Sequence, residues 1–156
     1  MTVIDLSGRL DDIRCRYPEY WNSDEAQAEL QALWGGADCN DCGVFERAET
    51  IRIELDVQKS WYGEVRIAVA PNGWHAISTC YWYGQGGGGS APSVWNCTAY
   101  TTRDEAHTAG IHKLIATFEG VRDCQGWAPQ NQSEFAQRMI ETLKERLSQA
   151  RQLTLF

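Results

Sequence analysis

The chain has 156 residues, 43% of them apolar and 22% charged, which suits one globular domain with a buried core and excludes a disordered polymer. No apolar run approaches the roughly 20 residues of a membrane-spanning helix, and the opening Met-Thr-Val-Ile-Asp-Leu-Ser lacks the basic and long apolar regions of a secretory signal. Fourteen basic against 21 acidic side chains give a formal charge of −7, which opposes broad nucleic-acid binding while leaving room for a small basic patch.

In chain order, Ile4, Leu6, Leu10 and Ile13 have the spacing of one helical stripe, and Tyr17, Pro18, Tyr20 and Trp21 follow as a packed connector. Asn22 or Ser23, with Asp24 and Glu25 behind it, caps a helix whose apolar positions are Ala26, Leu30, Leu33 and Trp34. Gly35-Gly36 ends it, and a loop over 37–43 carries Cys39 and Cys42.

Residues 50–57 alternate, with Ile51, Ile53, Leu55 and Val57 inward and Arg52, Glu54 and Asp56 outward. Residues 62–69 do the same, with Val65, Ile67 and Val69 inward and Glu64 and Arg66 outward. Pro71-Asn72-Gly73 is a turn leading into a third strand near 74–83. The glycine-rich stretch Gly84–Gly89 then reads as a flexible hairpin connection to a fourth strand near 94–100. Placing Tyr83 opposite Val94 sets Trp82 against Trp95 and Cys80 against Cys97 on the core face. The other face, with His75, Tyr81, Tyr83 and Tyr100, becomes an open Tyr-rich surface; a slip of one residue exchanges the two.

Thr102 and Glu105 form a capping box for a helix reaching about Glu119, where Gly120 stops it. Asn131 with Glu134 opens a last helix over about 132–150, with Ala136, Met139, Ile140, Leu143, Leu147 and Ala150 as its stripe. Strands followed by helices predict an α+β fold: an antiparallel four-stranded meander sheet with helices packed mainly on one face. Residues 1–150 form the single domain in this reading and 151–156 a C-terminal peptide motif.

The candidate chemistry is sparse. Gly84–Gly89 satisfies Gly-x-Gly-x-x-Gly, but Pro92 and a strand follow where a dinucleotide site needs a helix N-terminus. Cys39-Asn40-Asp41-Cys42 has metal-ligand spacing, yet two further ligands would have to come from Cys15, Cys124 or a histidine far along the chain. Reduced thiols without metal or other cofactor are the expectation for the six cysteines in a cytoplasmic chain. His107 and His112 are about 140° apart around a helix, which suits no shared ligand. No nucleophile elbow, His-Glu-x-x-His or paired-carboxylate pattern is present, so a non-enzymatic protein is favoured. The face bearing His75, Tyr81, Tyr83 and Tyr100, with Arg52 and Arg66, is the candidate surface for a small ligand or stacked single-stranded bases, although Tyr and Thr are also ordinary strand formers.

The sharpest signal lies in the last five residues. Gln152-Leu153-Thr154-Leu155-Phe156 resembles the bacterial sliding-clamp-binding motif Gln-Leu-x-Leu-Phe at every specified position. With average residue usage a chance match arises at roughly one position in 10⁵. The resemblance covers these residues only. It implies that Leu155 and Phe156 fill an apolar pocket of the clamp ring, that Gln152 hydrogen-bonds at its rim and that Leu153 adds contact. The alternative is that Leu153, Leu155 and Phe156 finish the last helix and pack on the body.

Overall fold

The computed structural model describes residues 3–124, 126, 128, 131–153 and 155. Its strands are β1 (Val3–Asp5), β2 (Glu49–Glu54), β3 (Trp61–Val69), β4 (His75–Tyr83), β5 (Gly87–Gly89) and β6 (Thr98–Tyr100). Its helices are α1 (Ser7–Arg16), α2 (Asp24–Leu33), α3 (Arg103–Arg122) and α4 (Gln132–Leu153). The class is α+β, and among the described residues the open antiparallel sheet has six strands where the sequence pattern predicts four. The order is β1-β6-β4-β3-β2, with β5 paired to β4 off that path. Among the described residues no helix is long and apolar enough to cross a membrane.

Of the two added strands, β5 accounts for the register of the hairpin. Cys80, Tyr81 and Trp82 pair with Gly89, Gly88 and Gly87, while at the other end of β4 His75 pairs with Tyr100. Cys80 therefore faces Gly89 and not Cys97, and the glycine stretch is a tight turn plus a strand in place of a flexible connection. At Tyr83-Gly84-Gln85-Gly86 the Tyr83 N–H donates to the Gly86 carbonyl at 2.8 Å. Gly84 has φ +86°, and Gln85 keeps a negative φ, as a two-residue hairpin turn of this hand requires.

The chain divides into two compact units. The first comprises Met1–Glu49, Arg66–Ser78 and Ala91–His107. Here Asp5 turns β1 into α1: its Oδ1 accepts from the Ser7 N–H at 2.9 Å and the Ser7 hydroxyl at 2.6 Å. Those two bonds hold the Asp5 carboxyl below its usual range. Ser23 caps α2 by accepting from the Ala26 N–H at 3.1 Å, with Asp24 and Glu25 in the first turn. The core joins Leu6, Leu10 and Ile13 to Leu30, Trp34 and the small Ala68, Ala70, Ala76 and Ala99. Trp34 is wholly buried, donates from its indole to the Val94 carbonyl at 3.1 Å, and meets Phe45 and Trp74 edge-on. Gly35, at φ +81°, ends α2 where a side chain would run into the backbone of Asn72.

The second unit comprises Thr50–Val65, Thr79–Ser90 and Thr108–Phe156. Its buried side chains include Ile53, Leu55, Val65, Ile111, Leu114 and, from α4, Met139, Ile140, Leu143 and Leu147. Val57 lies past the end of β2 in the turn that returns to β3, and is 65% exposed. In the first unit Val69, the last residue of β3, is likewise exposed where the alternation predicts it inward. Trp82, predicted for the core, is 39% exposed, whereas Tyr81 and Tyr83 are half-buried. Tyr81 meets Phe118 edge-on at 6.1 Å and Tyr83 meets Trp61 at 6.1 Å, so these tyrosines join the aromatic core beside α3. The predicted assignment of faces is therefore reversed at this end of β4.

Candidate functional site

The tail is reached along α4. Its buried stripe runs Ala136, Met139, Ile140, Leu143 and Leu147 and stops there. The helix itself continues to Leu153, three residues beyond the predicted end, carrying Gln152 and Leu153 in its last turn. The Leu155 N–H donates to the Gln152 carbonyl at 3.3 Å, which keeps a turn after the helix. Leu153 and Leu155 are each 80% exposed, and Gln152 is exposed beside them. Phe156 lies outside the described residues.

The Tyr-rich candidate face resolves into two groups. In the first unit His75 pairs with Tyr100 across β4 and β6. Tyr100 is buried, and burial pushes its phenol up from the ordinary value. His75 is half-buried, with Nδ1 buried and unpartnered, and Arg66 is half-buried. In the second unit the rings of Tyr81 and Tyr83 stack at 6.3 Å and 15°. Arg52 lies 3.6 Å from the centre of the Tyr62 ring and pairs with Glu54 at 2.9 Å and Glu64 at 3.2 Å. With two carboxylates on it, that cation is a poor phosphate ligand.

The Cys39–Cys42 loop is organised by an amide. Asn40 Oδ1 accepts from the Cys42 and Val44 N–H groups at 2.9 and 3.0 Å. Cys39 sits 3.6 Å from Gln27 Nε2, and burial pushes its thiol up from the ordinary value. Among the described residues no group of three or more His, Cys, Asp or Glu side chains is placed to hold a metal ion. All six cysteines are free, Cys15, Cys42, Cys97 and Cys124 being exposed. His107, on the apolar side of α3, is half-buried, and His112 is exposed.

The sequence reading missed a cleft in the second unit of about 290 Å³, lined in part by Trp61, Tyr83 and Phe135. Its lining comes from segments far apart in the chain, so no local sequence signal marks it. Comparison with family models, curated proteins and solved structures finds no match for this chain.

Proposed function

We propose that this chain is a non-enzymatic interaction protein that docks on the bacterial replication sliding clamp through Gln152, Leu153, Leu155 and Phe156. It would act as an accessory or inhibitor of DNA replication or repair, of phage or plasmid origin, and would work in the cytoplasm where the clamp is found. The observation that supports this reading is the 80% exposure of both Leu153 and Leu155 after the core-facing stripe of α4 has ended at Leu147. The two leucines are thus available to a pocket on another protein at no loss of core packing. A short anchor buries little area, so the affinity is roughly micromolar.

The test is calorimetric titration of a purified bacterial clamp with the intact chain and with a Leu155→Ala, Phe156→Ala double variant. The expected result is binding by the first, none by the second, and equal melting temperatures. A melting temperature many degrees lower in the variant would make the tail part of the core. Failure of the intact chain to bind would make the motif a coincidence.

A further inference from the structure

The aromatic cleft of the second unit has a chemistry of its own. Tyr83 and Phe135 give it two half-buried rings beside Trp61, itself only 4% exposed, with Trp61 to Tyr83 centroids 6.1 Å apart at 62° and Trp61 to Phe135 5.7 Å apart at 53°. Around them the lining carries the amides of Gln58, Gln85, Asn131 and Gln132 and the hydroxyl of Ser60. Among the described residues that line it there is no carboxylate, ammonium or guanidinium. A phosphate, carboxylate or amine entering it would lose hydration without gaining a counter-ion, so the lining selects against charged ligands.

The amides also select by hydrogen-bonding type. The exposed amides of Gln58, Gln85 and Asn131 each present two N–H donors and a carbonyl acceptor, and the serine hydroxyl does both. Ligand groups that themselves donate and accept, such as alcohols, match that inventory best. The rings are mutually tilted, so neither pair offers the parallel slot that sandwiches a flat base. The open parts of the half-buried Tyr83 and Phe135 rings, negative at the ring centre, suit the C–H groups of a puckered saturated ring.

The cleft is built in advance. A β-carbon at Gly84 would lie 3.1 Å from Trp61 Nε1, and one at Gly86 2.7 Å from the Tyr83 hydroxyl. The hairpin turn therefore rests on both rings and holds Gln85 at the cleft. Gln132 is 8% exposed, and its amide donates to the Val121 carbonyl at 3.3 Å, which fixes the opposite wall. At about 290 Å³ the space is at the lower end of ligand pockets, about 300–1,000 Å³, and takes a single ring.

We propose that this cleft binds one neutral pyranose unit of a carbohydrate. The site is independent of the tail. Saturation-transfer NMR on the intact chain tests it with four sugars: methyl β-glucoside, methyl β-galactoside, methyl α-mannoside and N-acetylglucosamine. Adenosine and uridine serve as neutral planar probes. The expected result is transfer to the ring protons of at least one sugar at millimolar concentration, with movement of the Trp61 indole N–H resonance. Gln58→Ala with Gln85→Ala, both at exposed positions, should weaken binding about tenfold or more at unchanged melting temperature. Leu155→Ala with Phe156→Ala should leave it unchanged, which separates this site from clamp docking. No transfer to any of the four sugars, transfer unaffected by the glutamine changes, or transfer to the nucleosides alone would overturn the proposal.

Discussion

The backbone of Gly110 in α3 lies directly against the γ-methyl groups of Val65 in β3, with no room for a β-carbon between them. Both positions are wholly or almost wholly buried. The same close approach recurs one turn of helix later, where Leu114 covers Gly63 of β3. Two glycines on facing elements thus set the distance between this helix and this strand.

Gly110→Ala sets two effects against each other. Alanine is the better helix former by about 1 kcal/mol. Overpacking a filled contact costs about 1–3 kcal/mol, and Val65, with no exposure, has nowhere to move. The expected result is net destabilisation in urea unfolding, partly recovered when Val65→Ala is added. A more stable Gly110→Ala variant would show that the helix can shift away.

On α4 the position along the helix decides the outcome. Leu143→Ala removes a fully buried side chain and should cost about 2–5 kcal/mol. Leu153→Ala, 80% exposed in the same helix, should change stability by no more than about 0.5 kcal/mol. Chemical denaturation of the two variants checks the contrast. Comparable losses would place Leu153 in the core.

The Glu29 carboxylate is held down to about 2, first by the Arg16 guanidinium and then by the Tyr17 hydroxyl. Arg16 Nη1 donates to Oε1 at 2.8 Å and the Tyr17 hydroxyl to the same oxygen at 2.9 Å. The folded pKa lies below the unfolded one, so the contribution is fully present above about 4.5 and is lost as pH falls towards 2. Glu29→Gln should lower the melting temperature slightly at pH 7 and match the parent near pH 2. The groups are exposed, so the difference should also shrink in high salt. A pH-independent difference would assign the effect to packing.

The legible parts of the fold were those whose signals are local. Ser23 with its acidic first turn, Thr102 with its bond to the Glu105 N–H at 3.2 Å, and the Leu143–Leu147 stripe each define a helix from neighbouring residues. Asn72 accepts from the Trp74 N–H at 3.1 Å, and Gly73 has φ +86°, so the Pro71-Asn72-Gly73 turn was equally readable. β1 and β5 were not. Each has three residues, and β1 is defined by distant partners, Val3 with Tyr100 and Asp5 with Thr98. Three glycines carry no period at all. Missing β5 shifted the hairpin register, while the faces of Tyr81 and Trp82 are set by which side α3 covers, Phe118 meeting Tyr81. Of the sites, the tail residues were visible as a motif, but their exposure depends on where the α4 stripe stops meeting core. The cleft draws on 58–61, 83–85 and 131–135, segments that no local pattern connects.

β5 has a thermodynamic consequence for the hairpin it closes. Each glycine gives up more backbone freedom on ordering than alanine, by about 0.5–1 kcal/mol, and none supplies a side chain to bury. All three are exposed, so the strand is held by its ladder to Cys80, Tyr81 and Trp82. That ladder sits at the low end of the local stability scale. The amides of β5 should therefore exchange through local opening, while those around Ala76 and Ile77, buried at the start of β4, should stay protected until the protein unfolds. The yielding edge is thus β5, while β4 is paired to β3 on its other side and anchored by Tyr81 on Phe118 and Tyr83 on Trp61.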